Sequence, residues 1–387
     1  MTRRATPAAP TGGGGPVRVL VVDDSAMMRE VLRQGLSRDP GIEVVGLAAS
    51  AAQAAEMLSD RAVDVMTLDI EMPQLDGLSF LRQLMAGPRL PVVVVSSATQ
   101  SGAAITLEAM EAGAVDIIGK PCLSVGTGLG AILPELCDRV RAAAGARVAR
   151  GGAARGPLAA AMAPRPVRPA APGPRPPAAV PQILGIGAST GGVQALFEVL
   201  AHLTVPVPPV VVVQHMPEGF TAAFARRLDA ALPFEVAEAQ DGEPLLPNRV
   251  LIAPGGSRHM RVEGRAPHWR VALVEGAPVS FSRPSVDVLF ASLAERAGGL
   301  AGAALLTGMG SDGARGLAAI RRAGGMTIAQ DEASSVVWGM PGAAVDLGAA
   351  CQVLPLDRIA RALAGDPASP PPRPARPAAV EGQTDEG

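Results

Sequence analysis

The chain has 387 residues, 34 basic and 36 acidic, giving a formal charge of −2 and a pI near 6.1, so it lacks the basic footprint that nucleic acid or an anionic membrane requires. Aromatic residues make up 2% and Tyr is absent, which excludes an aromatic stacking platform and suits aliphatic, Ala-rich α/β layers. At about 150 residues per domain the working number is two domains.

Residues 1–16 carry two arginines followed by Ala, Pro, Gly and Thr, without the apolar stretch of a secretory signal, and read as a disordered leader. From Val17 the pattern changes. Apolar β-branched runs at Val17–Val22, Ile42–Leu47, Val63–Leu68, Pro91–Val95 and Val115–Ile118 predict strands. Helical periodicity separates them, as in Ala26–Leu36 and Ala52–Leu58. This alternation predicts a doubly wound (βα)5 domain with a parallel sheet over residues 17–144.

Such sheets gather reactive groups at the carboxyl ends of their strands. There stand Asp23 and Asp24 after the first strand, Asp69 after the third, Ser96 at the fourth and Lys120 at the fifth. Solvated loop charges would look similar. Lys120, however, is the chain's single lysine, which indicates a place where a compact ammonium is needed instead of a planar guanidinium. Three carboxylates in one crevice repel unless a hard cation sits among them, and Mg²⁺ is the natural candidate. With the metal bound, one Asp can accept a phosphoryl group as an acyl phosphate, with Ser96 and Lys120 on the transferred oxygens.

Residues 145–180 turn to Ala, Pro, Arg and Gly, an extended linker. A second alternating segment spans 181–365, with strand-like Pro181–Ile186, Val210–Val213, Val250–Ile252 and Ala303–Leu306, and helix-like Val193–Leu203 and Gly313–Arg322. It predicts a second doubly wound domain with a mostly parallel sheet. Residues 366–387 are Pro-rich and then acidic, a disordered tail.

Gly185-Ile-Gly-Ala-Ser-Thr-Gly-Gly places Ser189 in a glycine corner between strand and helix, where an exposed hydroxyl would have helix amides close by. Gly187-Ala-Ser-Thr-Gly fits the G-x-S-x-G nucleophile pattern. A phosphate-cradling or structural turn fits the stretch equally well. A nucleophilic serine needs a base, and the base needs an orienting group. Of four histidines, His202 lies in a helix-like segment and His268 in a polar turn. His215 ends a strand expected to run parallel to the one leading to Ser189 and is the first choice as base, with His259 second. Asp312, in Thr-Gly-Met-Gly-Ser-Asp-Gly, is the candidate orienting acid or the N-cap of the following helix. The Met309 amide in the same loop can face an oxyanion.

In order and spacing, Val-Val-Asp-Asp-Ser, Leu-Asp-Ile-Glu-Met-Pro-Gln-Leu-Asp-Gly, Val-Ser-Ser and Gly-Lys-Pro make residues Val17 to Arg141 resemble the receiver domain of bacterial response regulators. That resemblance implies Asp69 as phosphoacceptor, with Asp23, Asp24 and the Glu71 carbonyl around Mg²⁺. The chain departs from many receivers at Ile117, three residues before the lysine, where they carry an aromatic switch residue. Behind the receiver, Gly-Ala-Ser-Thr-Gly-Gly, Gln-His-Met-Pro, Ile-Ala-Pro-Gly-Gly, Arg-Pro-Ser-Val-Asp-Val-Leu-Phe and Thr-Gly-Met-Gly-Ser-Asp-Gly resemble the chemotaxis protein-glutamate methylesterases of the CheB family. The resemblance implies Ser189 as nucleophile, His215 as general base and then acid, Asp312 as its orienting acid, and oxyanion donors at Thr190 and Met309. It further implies demethylation of glutamate methyl esters on chemoreceptors and deamidation of receptor glutamines. A histidine kinase would be the phosphodonor, the esterase step would need no cofactor, and the protein would act in the cytoplasm, without membrane insertion or nucleic acid.

Two rival readings exist. A dinucleotide loop opening Gly-Ile-Gly conflicts with the third glycine falling one position late, and with Gln214-His215 where a ribose-binding acid belongs. A catalytically silent scaffold would keep the fold without the chemistry. The cysteines Cys122, Cys137 and Cys351 form no C-x-x-C pair, so neither a disulfide framework nor a zinc site is expected and a reducing compartment is the simplest setting.

Overall fold

The computed structural model describes residues 15–72, 77–87, 90–97, 99–120, 129–146 and 180–365; the bulk of the expected leader and linker, and the whole tail, lie outside the described residues, as does Cys122. The first unit runs β1 (Val17–Val22), α1 (Ala26–Leu36), β2 (Ile42–Ala48), α2 (Ala51–Asp60), β3 (Val65–Leu68), α3 (Gly77–Met85), β4 (Val92–Ser96), α4 (Gln100–Glu111), β5 (Asp116–Gly119) and α5 (Leu129–Ala144). Its sheet has the order β2-β1-β3-β4-β5 and every pairing is parallel. Val19–Val22 and Val92–Val95 are buried throughout, as strands covered by helices on both faces must be. The hydroxyls of Ser25, Ser50 and Thr99 accept from first-turn amides and so start α1, α2 and α4.

The second unit continues with β6 (Ile183–Ala188), α6 (Gly192–Ala201), β7 (Val210–Gln214), α7 (Phe220–Ala231), β8 (Glu235–Glu238), β9 (Arg249–Ile252), β10 (Arg258–Arg265), β11 (His268–Glu275), α8 (Val286–Arg296), β12 (Ala301–Leu305), α9 (Ala314–Arg322), β13 (Met326–Gln330), α10 (Met340–Asp346), β14 (Gln352–Leu354) and α11 (Leu356–Leu363). Seven strands in the order β14-β13-β12-β6-β7-β9-β8 form one parallel sheet, and β10 and β11 make a separate antiparallel hairpin. The chain leaves β6 to one side for β7 and returns on the other for β12. The carboxyl end of β6 is therefore a topological switch point, where crevices open. Observed strand limits fall within about two residues of the expected runs, the usual uncertainty of such boundaries.

β6 carries glycines because α8 lies against it. A Cβ at Gly185 would meet Leu293 and Phe290, and one at Gly187 would overlap both γ-carbons of Val286. Leu293 and Phe290 are long side chains with rotamers to spare, whereas Val286 is β-branched and stiff.

The two units touch through α4, β5 and the corner after β6. Arg227 of α7 pairs with Glu111 of α4, and the Gln194 amide of α6 donates to the Met110 and Ala114 carbonyls. Gly191 N–H donates to Val115 O at 3.0 Å, and Gly119 abuts Pro217. Replacing Gly187 by Ala forces Val286 and α8 outward. The expected result is a loss of about 1–3 kcal/mol, the range for overpacked cores, read as a lower urea midpoint with unchanged slope.

Candidate active site

Strand register places the site. Ala188 pairs with Gln214, and His215 N–H donates to Ala188 O at 3.1 Å, so Ser189 and His215 leave neighbouring parallel strands side by side. Adjacent strands stand about 4.8 Å apart, which is the backbone separation at this rim. Ser189 N–H donates to Thr307 O at 3.0 Å, which ties the end of β6 to the loop after β12. The Ser189 carbonyl accepts from Gly192 N–H at 2.7 Å and the Gln214 amide at 2.9 Å, and the Thr307 hydroxyl donates to Thr190 O at 2.9 Å. The corner is thereby fixed by backbone and side-chain bonds on three sides.

Ser189 is not exposed as the sequence suggested. It is 7% accessible, because Gly308 packs against its Cβ and Val336 closes over Gly191. A glycine corner turns the chain sharply, but here the neighbouring loops converge on it. Its hydroxyl forms no hydrogen bond among the described residues.

Asp312 is where the site is assembled. Its carboxylate accepts from His215 Nε2 at 2.9 Å, from the Ser285 hydroxyl at 2.7 Å, and from the Val286 and Asp287 amides at 2.7 and 3.0 Å. It is an N-terminal cap, but of α8, not of the helix that follows it. Gly313 begins α9 in a left-handed conformation, and Asp287 of α8 caps α9 through Gly316 N–H at 2.7 Å. Burial pushes the Asp312 carboxyl up, yet the bonds from His215, Ser285 and the Asp287 amide outweigh it and hold it below the ordinary carboxylate value.

The Asp312 bond fixes the His215 tautomer: Nε2 carries the proton, and Nδ1 is left with its lone pair facing the crevice, 3.4 Å from the Ser282 hydroxyl. His259 cannot serve as the base. Its Nδ1 accepts from Ser285 N–H at 3.1 Å and its Nε2 donates to Ala277 O at 3.0 Å, so both nitrogens are committed. It is 3% accessible and stands behind Ser285, supporting the cap that holds Asp312. His202 lies at the end of α6 and His268 opens β11, both exposed and away from the crevice.

The Thr190 and Met309 amides have no acceptor among the described residues, and neither do those of Gly310, Ser311 and Asp312 in the same loop as Met309. Thr190 follows Ser189 directly, and Met309 lies in the loop after β12 whose Thr307 carbonyl holds the Ser189 amide. The Thr190 side chain was missed. Its hydroxyl donates to Asp116 Oδ2 of β5 at 2.6 Å, and Asp116 is in turn held by Arg139 at 2.8 Å. Ser285 carried a legible signal, a serine ahead of an apolar helix. Ser282 and Thr307 carried none, since each acts through a loop whose path the sequence does not reveal.

In the first unit Asp23, Asp24 and Asp69 bring carboxylate oxygens within 4.8 Å of one another. Lys120 Nζ lies 2.7 Å from Asp69 and 3.7 Å from Asp23. Burial raises the Asp23 carboxyl, with Lys120 offsetting only part, and Asp23 Oδ2 is buried without a hydrogen bond. Burial disfavours the Lys120 ammonium, but its bond to Asp69 and the fields of Asp69 and Asp23 raise it overall. An acidic oxygen set with one orphaned buried atom fits a hard divalent cation. Ser96 is buried at the end of β4, its hydroxyl toward Ser97 O at 3.4 Å, and Glu71 accepts from Ser97 while its amide donates to Asp69. Ile117 is buried in β5 at 3% accessibility.

The fold and these two sites define a two-domain α/β protein with a receiver-type acidic crevice and a hydrolase-type Ser, His, Asp crevice. Residues 19–125 match the response regulator receiver domain model and residues 184–363 the CheB methylesterase model. The chain is 56% identical over 345 residues to the protein-glutamate methylesterase/protein-glutamine glutaminase of group 2 operon from Cereibacter sphaeroides, covering 89% of this chain and 90% of the relative. It is 48% identical over 348 residues to a second such protein from Pseudomonas aeruginosa, covering 90% and 96%. The crystal structure of the Thermotoga maritima CheB methylesterase catalytic domain is 38% identical, covers 48% of this chain and 97% of that chain, and superposes with a TM-score of 0.46. The chain belongs to the CheB methylesterase family.

Because the Asp312 carboxyl is held low, its stabilisation is present above about pH 4 and is lost as pH falls through its folded value. Asp312→Asn is expected to destabilise by about 1–3 kcal/mol at neutral pH, as for hydrogen bonds to a charged group. The deficit shrinks on acidification below about pH 4, measured by urea unfolding across pH.

Proposed function

We propose that the Ser189 crevice carries out the family's reaction, hydrolysis of γ-methyl esters on chemoreceptor glutamates and deamidation of receptor glutamines. The observation that carries this reading is the His215–Asp312 pair beside Ser189 at the switch point, with the Thr190 and Met309 amides unclaimed. Ser189 Oγ attacks the ester carbonyl while His215 Nδ1 takes its proton, and the oxyanion meets the two amides. His215 then protonates the departing methoxide, so methanol leaves and an acyl-enzyme remains. Water repeats the sequence and frees the carboxylate. Asp312 holds Nε2–H throughout and stabilises the imidazolium by its charge. The reaction requires Ser189 Oγ to turn onto Nδ1, a closure that apo sites commonly complete only with substrate bound.

In the receiver, Asp69 is the proposed phosphoacceptor and the histidine kinase of the chemotaxis pathway the donor. Asp23, Asp24, Asp69 and the Glu71 carbonyl would hold Mg²⁺, which when bound shields the phosphoryl charge. Lys120 pairs with the modified carboxylate, and Ser96 lies at the adjacent strand end. Strand β5 bears on both sites: Asp116 at its start holds the Thr190 hydroxyl, and Lys120 just after its end holds Asp69. A new charge at Asp69 that draws on Lys120 therefore bears on the strand that pins the corner after Ser189, so phosphorylation shifts the population toward an open crevice. Among the described residues no helix is long and apolar enough to cross a membrane, and the proposed place of action is the cytoplasm.

Two measurements test the reading. Ser189→Ala is expected to cut methanol release from a methylated receptor fragment on the order of 10⁴-fold or more, the scale for removing a nucleophile. Retained release by that variant would end the assignment. A small phosphodonor with Mg²⁺ is expected to raise the wild-type rate and to leave the rate of Asp69→Ala where it was, as followed by mass spectrometry of the receptor fragment. An equal rise in both would remove Asp69 from the switch.

A further inference from the structure

Ser282, whose hydroxyl faces His215 Nδ1, belongs to a turn that the reaction as described leaves unexplained. Val279 and Ser282 bridge in antiparallel fashion, Val279 N–H donating to Ser282 O at 3.1 Å and Ser282 N–H to Val279 O at 2.9 Å. The two residues between them, Ser280 and Phe281, have φ of 50° and 62°. Tight turns of this kind are normally filled by Gly, Asn or Asp, because side chains in the left-handed region are strained. A phenylalanine there is an outlier.

The strain is kept by a base fastened on both sides. The Arg283 guanidinium donates to Gly256 O at 3.0 Å and Gly276 O at 2.8 Å, and His259 Nε2 donates to Ala277 O. These bonds fasten the chain on either side of the turn, at Gly276 and Ala277 before it and at Arg283 after it. Strain over-determined by its surroundings, next to a reactive group, points to use. What the turn does is hold the Phe281 ring wholly in solvent, at 101% accessibility, one residue from the group that touches His215. Among the described residues the receiver's contacts with the second unit include Thr190, Gly191, Gln194, Arg227, Pro217 and Val336, and none is to Phe281.

We propose that Phe281 is a specificity-determining residue that packs on the apolar surface around the esterified glutamate of the protein substrate. This deepens the proposed function and rests on it. A glutamate side chain is short, so for its ester to reach Ser189 the backbone bearing it must lie close over the crevice rim. The Val279–Ser282 turn forms part of that rim, since its Ser282 hydroxyl lies 3.4 Å from His215 Nδ1. An aromatic ring buried there adds affinity for the polypeptide and none for a small ester that enters alone.

The test compares a methylated receptor fragment with 4-nitrophenyl acetate, using wild type, Phe281→Gly, Phe281→Leu and Ser189→Ala in the full chain. Phe281→Gly is expected to lower the ratio of receptor to small-ester kcat/KM about tenfold, through KM. It is also expected to raise the thermal midpoint, since glycine takes the left-handed φ without strain. Phe281→Leu keeps an apolar contact and is expected to recover part of the ratio. An unchanged ratio in Phe281→Gly, or equal losses on both substrates, overturns the inference. Ser189→Ala separates the two levels: if it still turns over both substrates the functional reading fails, whereas an inactive Ser189→Ala beside an unchanged Phe281→Gly ratio sinks Phe281 alone.

Discussion

A single buried carboxylate joins the parts of the hydrolase crevice. Asp312 binds an imidazole, a hydroxyl and two helix amides at once, the first from His215 after β7 and the other three from consecutive residues, Ser285 to Asp287, at the start of α8. An anion 2% accessible would be costly if bare; here the N-terminus of α8 supplies the donors that make it tolerable. The same bonds fix the helix, the loop and the ring. The site and the packing of α8 on β6 are consequently one structure, and the glycines of β6 are as much part of it as the charged groups.

That arrangement also gives His215 an unusual outlook. Because the acid claims Nε2, the nitrogen that faces away from it is Nδ1, the one nearer the backbone. The ring must then sit close to the strand end, which the direct neighbourhood of β6 and β7 provides. His259 and Ser285 act at one remove, holding the cap that holds the acid. The receiver reaches the other flank of the same corner through Asp116 and the Val115 carbonyl, so its acidic crevice and the hydrolase crevice share one short strand.

Much of this was open to reading along the chain. The alternation of β-branched runs and amphipathic segments is a local property, and both sheets follow from it because parallel strands must be buried on both faces. The solitary Lys120 marked its site by chemistry alone. Strand ends collect functional groups in this architecture, so Asp23, Asp24, Asp69, Ser189 and His215 could be placed before any coordinates. The glycines of the corner said that the chain turns there; they did not say that Val336 and Gly308 would bury the serine.

The sequence by itself determined the two α/β units, the order of their candidate site residues and the family to which those residues point, since these depend on residue type and short spacing. Tertiary structure alone decided which nitrogen of His215 is bound, that Asp312 caps α8 and not α9, that His259 is structural, and that Thr190 is held by the receiver. Each of these is a contact between segments far apart in the chain, 97 residues for His215 and Asp312 and 74 for Asp116 and Thr190. Hydrogen-bond geometry over such separations is set by how sheets and helices pack, which no local pattern encodes.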